Sequence, residues 1–421
     1  MKKIIKIYAL LLILSSCERV VDEKNPVLKL YGDALEDIGY SVSKSGNEFY
    51  IGGQFTEVSR ADGSIKVDAS KKKMAVIKTD FNGNLIWKHS YGGSRTAVGL
   101  KVVALNDGSV ISAGYIINGT NQKDIFVVKV SSDGKNYVQN IFNSVGDSVL
   151  GNTLDGNQSG IDIIQTEDDG FMLLGSTDVE RLQSSDSMGN IKGNSDIYLL
   201  NLDADLKPTG VPVAIGFPGN DAGVAIKPTL DGGYIIAGTT NRSESGQSLN
   251  NILIVKTTAS GIATQIRILG TTDDEYASDI EVLDDGYFIA GTVGADGSDQ
   301  SVYVAKVPEN IFGEILISEK YKLTLTNSTS TATSFAVKAI SRYKSNSFVM
   351  AGQAGTGASA KMLIFIADLF GEQVMGKEFI TLASGTHVAY DVITDEDDNI
   401  FTVGKNSFEN NSMIVFYKFR F

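Results

Sequence analysis

The sequence predicts an all-β protein, a seven-bladed β-propeller built from four-stranded antiparallel blades. Three observations predict this fold: one short phrase recurs seven times, helical periodicity is absent beyond the N-terminal apolar segment, and the two chain ends complement each other. The phrase joins a turn rich in Asp, Asn and Gly to an apolar strand that ends in glycine. Its closing glycines are Gly52, Gly114, Gly175, Gly238, Gly291, Gly352 and Gly404. A small sheet repeated at intervals of about 60 residues cannot bury both faces alone, and radial stacking of such sheets gives a propeller.

Each repeat supplies four strand-like pieces, and the fifth repeat shows them most clearly. Its pieces are Ser278 to Leu283, Gly286 to Thr292, Val302 to Val307 and Glu314 to Tyr321. They are short, rich in β-branched and aromatic residues, and bounded by Asp, Gly or Asn, as is typical of antiparallel strands joined by turns. A parallel β-helix is the alternative, but its rungs are normally much shorter than these repeats.

The two ends of the chain predict how the ring closes. The last repeat stops at Phe421, after its third strand, and so lacks a fourth. Near the start, Asn25 to Asp33 matches the fourth-strand segment Asn84 to Ser94 in its apolar alternation and its Tyr-Gly ending. We therefore expect Val27 to Tyr31 to complete the last blade, which leaves no open sheet edge in the ring.

The N-terminal segment has the features of an export signal. A basic head is followed by an apolar run too short to span a bilayer, and then by Cys17, the only cysteine. Leu14-Ser15-Ser16-Cys17 resembles a bacterial lipobox; the alternative is an ordinary signal peptide with a chance cysteine. We expect residues 1–16 to be a lipoprotein signal peptide, Cys17 to be lipidated, and residues 17–26 to tether a propeller formed by residues 27–421.

The composition limits the kinds of function. The formal net charge of −13 argues against nucleic acid or anionic lipid as the main partner. A single cysteine leaves no disulfide and no thiolate metal site in the mature domain. Only His89 and His387 are available, and no GxSxG motif accompanies them, so we expect no enzyme. A pair of carboxylates that cleaves glycosidic bonds stays open, because only geometry selects such a pair.

The two faces of the predicted ring differ. In a four-stranded antiparallel blade, the turns between strands one and two and between strands three and four lie on one face, here called the tight-turn face. The loops between strands two and three and the blade crossovers lie on the other, here called the looped face. Its longest connections span 54–73, 176–194 and 239–250, with an insert at 143–158. Binding residues usually sit on loops of a rigid scaffold, so we expect the looped face to be the working surface.

Arginines are concentrated in these long connections. The candidate binding residues are Arg60, Arg95, Arg181 and Arg242. Guanidinium groups recognise carboxylates and phosphates, which predicts an anionic ligand or an acidic partner. The alternative is ordinary solvated loop charge.

Acidic residues recur in the first strands, which line the central channel. We expect Asp37, Asp162, Asp221, Asp279 and Asp391 to lie near one level. Converging carboxylates suit Ca²⁺, although no acidic run has the spacing of an EF-hand loop. We expect no cofactor, with Ca²⁺ as the alternative.

The clearest repeat unit is Lys78 to Gly93, KTDFNGNLIWKHSYGG. With the recurring Gly-Tyr-apolar-apolar-Ala-Gly strands, it resembles the β-propeller-repeat lipoproteins of Bacteroidetes over residues 27–421, more weakly in repeats three, six and seven. The resemblance implies an exported repeat domain and carries over no catalytic residue, because the shared positions are fold positions. Asp147-Ser148-Val149 and Asp186-Ser187-Met188 are similar to Bacteroidetes O-glycosylation sites, which makes Ser148 and Ser187 candidates.

These observations give two functional expectations. The first is a lipid-anchored propeller on the outer membrane, at the cell surface, that binds a membrane or surface protein as a scaffold or accessory subunit. The second is a glycan-binding or glycan-cleaving surface lipoprotein. Glycan sites use aromatic platforms, for which the looped face offers Phe55, Tyr115 and Phe408.

Overall fold

The computed structural model confirms a propeller of seven four-stranded antiparallel sheets. It describes residues 26–61, 64–142, 156–178, 194–242, 249–294, 300–321, 334–344, 346–357, 360–368, 373–380, 385–408 and 411–421. Across these ranges the chain forms 28 strands, and no helix among them has the length and apolar character to cross a membrane.

The strands follow the chain from blade to blade. The first, β1 (Val27–Leu35), belongs to blade 7. Blade 1 contains β2 (Ile38–Ser45), β3 (Glu48–Ala61), β4 (Ser64–Asp80) and β5 (Leu85–Tyr91). Blade 2 contains β6 (Ala97–Ala104), β7 (Val110–Ile117), β8 (Lys123–Val130) and β9 (Tyr137–Phe142). Blade 3 contains β10 (Gln158–Gln165), β11 (Phe171–Thr177), β12 (Asp196–Leu202) and β13 (Val213–Ile215).

The remaining blades have the same plan. Blade 4 contains β14 (Asp221–Pro228), β15 (Tyr234–Thr240), β16 (Asn251–Thr257) and β17 (Ala263–Leu269). Blade 5 contains β18 (Glu275–Leu283), β19 (Gly286–Val293), β20 (Ser301–Pro308) and β21 (Leu316–Tyr321). Blade 6 contains β22 (Phe335–Tyr343), β23 (Ser347–Ala354), β24 (Lys361–Asp368) and β25 (Gln373–Ile380). Blade 7 contains β26 (His387–Thr394), β27 (Ile400–Phe408), β28 (Asn411–Phe419) and, outermost, β1.

The ring closes as the chain ends predict. In blade 7 the strand order is β1-β28-β27-β26, so the N-terminal strand supplies the missing fourth strand. The pairing runs from Val27 opposite Lys418 to Tyr31 opposite Ile414, which covers the predicted segment. Tyr31 also donates its hydroxyl hydrogen to the carbonyl of Gly83 in blade 1, at 2.6 Å. The closing strand therefore ties blade 7 to its neighbour as well as to itself.

Burial takes place mainly between blades. Seven clusters of buried apolar side chains follow one another around the ring, each shared by adjacent sheets. Between blades 5 and 6, for example, the rings of Phe288 and Phe348 stack with centroids 4.1 Å apart and an interplanar angle of 2°. Because each sheet is covered on both faces by its neighbours, no blade has a complete core of its own.

The repeated glycine is required by close approach of the second strand to the first. A Cβ placed at Gly114 would lie 1.9 Å from the carbonyl oxygen of Val98, and the same clash recurs in every blade. In blade 1 the equivalent residue is Gly53, which pairs with Gly39 as Gly114 pairs with Gly99. The assignment of Gly52 to this position is therefore wrong by one residue. A Cβ at Gly52 would instead meet the side chain of Val102.

The predicted loop over 54–73 is instead a paired hairpin. β2 pairs with β3 only as far as Gln54, and β5 pairs with β4 only from Met74 onward. Beyond these residues β3 and β4 continue to pair with each other, from Phe55 opposite Lys73 to Ala61 opposite Ser64. We call residues 55–73 the β-arm. It projects from blade 1 on the looped face.

Several predicted sites lie outside the described residues. These are Cys17 with the signal and tether, Arg181, Ser148 and Ser187. The backbone of Arg60 lies in the β-arm, but the side chains of Arg60 and Phe408 are not among the described parts of the structure. Lipidation, glycosylation and the full arginine patch therefore stay predictions.

Candidate functional site

The innermost strand of every blade has a one-residue β-bulge near its looped-face end. The pairing with the second strand skips one residue in each, for example between Gly39 and Ser41 in blade 1 and between Ala389 and Asp391 in blade 7. The residues that follow the seven bulges, in blade order, are Ser41, Lys101, Asp162, Ala225, Asp279, Ala339 and Asp391. A bulge re-aims the side chains beside it, so this ring is where neighbouring inner strands can interact.

Three aspartates in this ring connect their blade to the next one. Asp162 in blade 3, Asp279 in blade 5 and Asp391 in blade 7 occupy equivalent positions. Each accepts a hydrogen bond from the backbone N–H of the residue after it, at 2.8–2.9 Å. The second oxygen of each accepts an N–H from the inner strand of the following blade, at 2.9–3.0 Å. These carboxylates therefore act as inter-blade connectors.

In six of the seven blades, the position after the bulge alternates between an aspartate and a small residue. The blades that receive a hydrogen bond have Ala225, Ala339 or Ser41 at the same position, which leaves room for the neighbour's carboxylate. Seven blades cannot alternate completely, and blade 2 has Lys101 instead. Its ammonium lies 3.8 Å from the carboxylate of Asp162. The lysine thus fills the break in the alternation with a charge of opposite sign.

A second ion pair lies one step further into the channel. Lys227 of blade 4 and Glu281 of blade 5 are 3.3 Å apart. Burial alone would lower the pKa of Lys101 and of Lys227, but the surrounding carboxylates outweigh it and raise both above their usual value. Both lysines are therefore charged at neutral pH. Burial raises the pKa of Asp279 to about 6, against the opposing effect of Lys227 and Lys101.

The expectation that five aspartates share one level is wrong for two of them. Asp221 is the first residue of β14, and Asp37 directly precedes β2, so both lie four residues before the bulge ring. Asp221 accepts a hydrogen bond from the N–H of Phe217 at the blade crossover, and Asp37 accepts one from the N–H of Thr56. These two carboxylates hold backbone at the looped face and do not join the channel cluster.

The described part of the chain contains no preformed calcium site. No group of three or more His, Cys, Asp or Glu residues there has the geometry to hold a metal ion. The oxygens of Asp162, Asp279 and Asp391 already accept backbone amides. Hard cations need several free oxygens directed at one point, and this arrangement directs them between blades instead.

The pKa of Asp279 gives a pH prediction. Because its folded-state pKa of about 6 exceeds the unfolded value of about 3.9, protonation favours the folded state. The stability it contributes is fully present below pH ~3.9 and is lost as the pH rises through about 6. We expect Asp279→Asn, measured by urea unfolding from pH 4 to 7, to lose this slope. Lys101→Met is expected to move the midpoint to higher pH, because Lys101 lowers the pKa of Asp279; unchanged profiles in both variants would contradict the assignment.

Aromatic side chains gather where the channel opens on the looped face. Tyr40 and Tyr390 are the extra residues of the bulges in blades 1 and 7, and their ring centroids are 5.1 Å apart. Burial raises the pKa of both hydroxyls, and Tyr390 and Tyr115 also raise that of Tyr40. The ammonium of Lys123 lies 4.4 Å from the ring centre of Tyr115. Of the three predicted aromatics, Tyr115 joins this group, Phe55 packs partly into the core, and the side chain of Phe408 lies outside the described part of the chain. Sequence reasoning missed the pair of Tyr40 and Tyr390. The signal was a tyrosine after a small residue, Gly39 or Ala389, at the same point of two first strands.

Two candidate arginines are placed on the looped face, beside different carboxylates. Arg95 is exposed on the crossover between β5 and β6, and it acts electrostatically on Asp124. Arg242 is exposed after β15, and its guanidinium lies 4.4 Å from the ring centre of Phe217, near Asp221. Burial raises the pKa of both carboxyl groups, and the arginines oppose that rise. A common anionic site that includes both arginines stays a prediction.

The base of the β-arm is fixed to the propeller by two lysines. Lys73 is buried, and its ammonium donates to the carbonyls of Gly93 and Arg95 at 2.7 and 2.9 Å. It also pairs with Glu57 across the arm, at 3.3 Å. Lys72 pairs with Glu36. The arm therefore leaves blade 1 in a direction set by buried hydrogen bonds.

The fold and channel define the protein as a β-propeller, and comparison with known proteins adds no narrower class. Neither a protein-family model nor a curated protein sequence matches the chain. Among solved structures it is similar to the polysaccharide lyase PL25 ulvanlyase, with 8% identity over 91% of this chain and 95% of that chain and a TM-score of 0.57. The same lyase bound to -[GlcA(1-4)Rha3S]- gives 0.58 at equal identity and coverage. The β-propeller domain of the trilobed protease from Pyrococcus furiosus gives 0.45, with 8% identity over 92% of this chain and 94% of that chain. At these identities the similarity shows the fold alone.

Proposed function

We propose that the protein is a protein-binding scaffold or accessory subunit, lipid-anchored through Cys17 at the outer membrane and exposed at the cell surface. It binds its partner through the looped face. The observation that carries this proposal is the β-arm, a two-stranded extension that serves no other blade.

The β-arm offers strand edges for recognition. From Phe55 to Lys73 its described residues pair as a two-stranded ladder that neither β2 nor β5 extends. Exposed strand edges pair readily with strands of another chain. The arm reaches roughly 20 Å beyond the blade, at about 3.3 Å per residue for its paired residues. Such a projection suits contact with a protein better than enclosure of a small ligand.

The charge of the β-arm points to an acidic partner surface. Residues 55–73 contain five basic and three acidic residues; apart from the pairs Lys73–Glu57 and Lys72–Glu36, three basic and two acidic residues are left, whereas the whole chain has a net charge of −13. Opposite local charge steers association with an acidic surface. Arg60, one of the predicted binding residues, has its backbone in the arm.

The contacts of four channel carboxylates support the choice of binding over catalysis. Asp162, Asp279 and Asp391 accept backbone amides, and Glu281 pairs with Lys227. A general acid or base needs a proton-exchanging oxygen within reach of substrate. These side chains stabilise the ring instead.

Removal of the β-arm tests the proposal. Replacing residues 58–70 by Asn-Gly joins Glu57 to Lys71 with a two-residue turn and keeps Lys72 and Lys73 in place. We expect the melting temperature to stay within about 3 °C, because Glu57, Lys72 and Lys73, which join the arm to the propeller, are kept. We expect co-purification of the membrane partner from mild-detergent extracts of the lipidated protein to fall at least about tenfold, a loss of roughly 1.4 kcal/mol.

Two controls interpret this experiment. Lys135→Ala, on the tight-turn face, should leave co-purification unchanged. Cys17→Ala should remove the protein from the membrane without changing its fold. An arm-deleted protein that retains the same companion in the same ratio would refute the role of the arm.

The tyrosine group favours glycan binding as a second candidate function. Tyr40, Tyr390 and Tyr115 place aromatic rings at the channel mouth, where sugars could stack. Glycan arrays probed with the wild type and with a Tyr40→Ala/Tyr390→Ala variant test this. Tyr137→Ala, an exposed tyrosine at the opposite face, is the matched control. Binding lost only in the double variant would support the glycan function, and the absence of any bound glycan would dismiss it.

A further inference from the structure

Exposed apolar side chains recur in the turns of the face opposite the loops. Ten large apolar side chains are exposed among the described residues, and nine of them lie at the tight-turn face. Leu230 lies in the turn between β14 and β15, Phe312 in the turn between β20 and β21, and Val211 in the connection to β13. Val211 and Leu230 are 79% and 76% exposed. Leu85 and Tyr137 lie at the starts of β5 and β9.

Hairpin turns of a soluble domain normally carry polar residues, so this distribution is unusual. Scattered single apolar residues on a surface need no explanation. Here they recur in blades 1 to 5 and again at Phe421 in blade 7, always at the same face. Apolar side chains spread over one face suit contact with a flat, extended surface better than contact with a partner that has a binding pocket.

The N-terminal segment joins the propeller at this same face. β28 is the third strand of blade 7 and runs from the looped face to the tight-turn face, and β1 is antiparallel to it. Val27 lies opposite Lys418, near the end of β28, so β1 starts at the tight-turn face. The chain therefore enters β1 at the face that carries the exposed apolar side chains.

The length of this tether limits the orientation of the body. From Cys17 to Pro26 the chain spans at most about 30 Å. β1 has nine residues and is about 30 Å long. To bring the looped face to the bilayer, the tether would have to run the whole length of the closing strand and would use all its reach. With the tight-turn face toward the bilayer, no such detour is needed.

We propose that the tight-turn face rests on the lipid surface in which the Cys17 acyl chains are inserted, with zwitterionic headgroups as its contact. The inference rests on the proposed lipid anchor and adds an orientation to it. Leu230, Phe312 and Val211 enter the headgroup layer, and the β-arm and the tyrosine group point away from the membrane. The looped face is then free for the partner.

The charges of this face select the type of lipid. Asp107, Asp133 and Asp168 lie in its turns, and each accepts a hydrogen bond from a Ser or Thr hydroxyl two residues away. These bonds lower the pKa of each carboxyl group, so all three are ionised at neutral pH. Lys135 pairs with Asp133, but Asp107 and Asp168 would repel anionic headgroups, whereas the ammonium of phosphatidylethanolamine is complementary to both.

Site-specific fluorescence quenching tests the orientation. The chain has one cysteine, which the anchor occupies, so a single new cysteine can be labelled selectively. An NBD probe at Leu230→Cys or Phe312→Cys reports the tight-turn face. A probe at Gly119→Cys, in the exposed turn between β7 and β8, reports the looped face, and a side chain there meets open space. The lipidated proteins are placed in vesicles of phosphatidylcholine and phosphatidylethanolamine with a nitroxide-labelled headgroup.

The expected result is at least about threefold stronger quenching at positions 230 and 312 than at 119, because interfacial side chains lie at headgroup depth. Equal quenching, or stronger quenching at position 119, would overturn the orientation. Shielding seen only in native membranes and absent in protein-free vesicles would also overturn it, in favour of a protein bound at this face. Adding phosphatidylglycerol at low salt should weaken the quenching, and a gain would refute the choice of headgroup.

Flotation separates this proposal from the proposed anchor. The lipidated protein should float with the vesicles, and the Cys17→Ala protein should stay at the bottom of the gradient. Failure of the first to float would refute the anchor and the orientation together. Flotation without preferential quenching would refute the orientation alone. Leu230→Gln/Phe312→Gln in the lipidated protein should keep flotation and reduce quenching at a probe on Ile262→Cys, another apolar turn residue of this face.

Discussion

Gly114→Ala is expected to destabilise the protein severely, by about 4 kcal/mol or more, which is exceptional for the addition of one methyl group. The new Cβ would lie 1.9 Å from the carbonyl oxygen of Val98 and 2.9 Å from its carbon. Both atoms belong to the backbone of the inner strand, next to the bulge, where the chain is paired on one side and packed against the next blade on the other. Neither strand can retreat without breaking its ladder, so the clash cannot be relieved by a side-chain movement.

Urea unfolding of a graded series measures this effect. Gly352→Ala and Gly404→Ala have the same 1.9 Å clash, whereas in Gly175→Ala the nearest oxygen, that of Ser159, is 2.6 Å away. We expect the first two to match Gly114→Ala and the third to lose less. Gly119→Ala is the control, because nothing lies within 4 Å of its Cβ. A Gly114→Ala protein as stable as the wild type would refute the close-approach explanation.

A chain that begins at Glu36, without β1, is expected not to fold cooperatively. β28 would lose its outer partner and expose an apolar strand edge, which also promotes aggregation. The hydrogen bond from Tyr31 to Gly83 and the contact between Lys29 and Asn84 would be lost with it, so blade 7 would separate from blade 1. A typical domain is stable by only about 5–15 kcal/mol, so we expect the loss of a whole strand and of these two contacts to unfold it.

A circular permutation provides the matched test. In the permuted chain, which also begins at Glu36, residues 26–35 follow Phe421 and return to the edge of β28 through a tight turn, because Val27 lies opposite Lys418. We expect thermal scans to show cooperative unfolding for this chain and for one that begins at Pro26, and none for the truncated chain. A truncated chain that unfolds cooperatively near the wild-type temperature would show that closure by β1 is dispensable.

The fold was predictable because its determinants are local and repeated. The glycine of each second strand is fixed by one steric contact that recurs in seven blades, and the apolar alternation from Val27 to Tyr31 identifies the closing strand. The misplacement of Gly52 arose where two glycines are adjacent and only the pairing partner, Gly39, distinguishes them. The β-arm was read as a loop because its residues after Gln54 are mostly polar. A mostly polar segment gives only a weak strand signal.

The channel was less predictable because the bulge interrupts the strand alternation. Asp37 and Asp221 lie four residues before the ring of Asp162, Asp279 and Asp391, and an even separation normally places side chains on the same side of a strand. The bulge inserts one residue between the two levels and reverses that relation. The pair of Lys227 and Glu281 joins different blades, and nothing in the repeat indicates it.

The closing strand has a mechanical consequence. In the proposed arrangement, with lipid on Cys17 and a partner on the looped face, any pull between membrane and partner would be applied to β1 at Val27, along the axis of the strand. The ladder between β1 and β28 is then loaded in shear, and its bonds from Val27 to Tyr31 bear the force together. A strand attached at its other end would be peeled off one bond at a time. The geometry that closes the ring is therefore also the one that resists being pulled open.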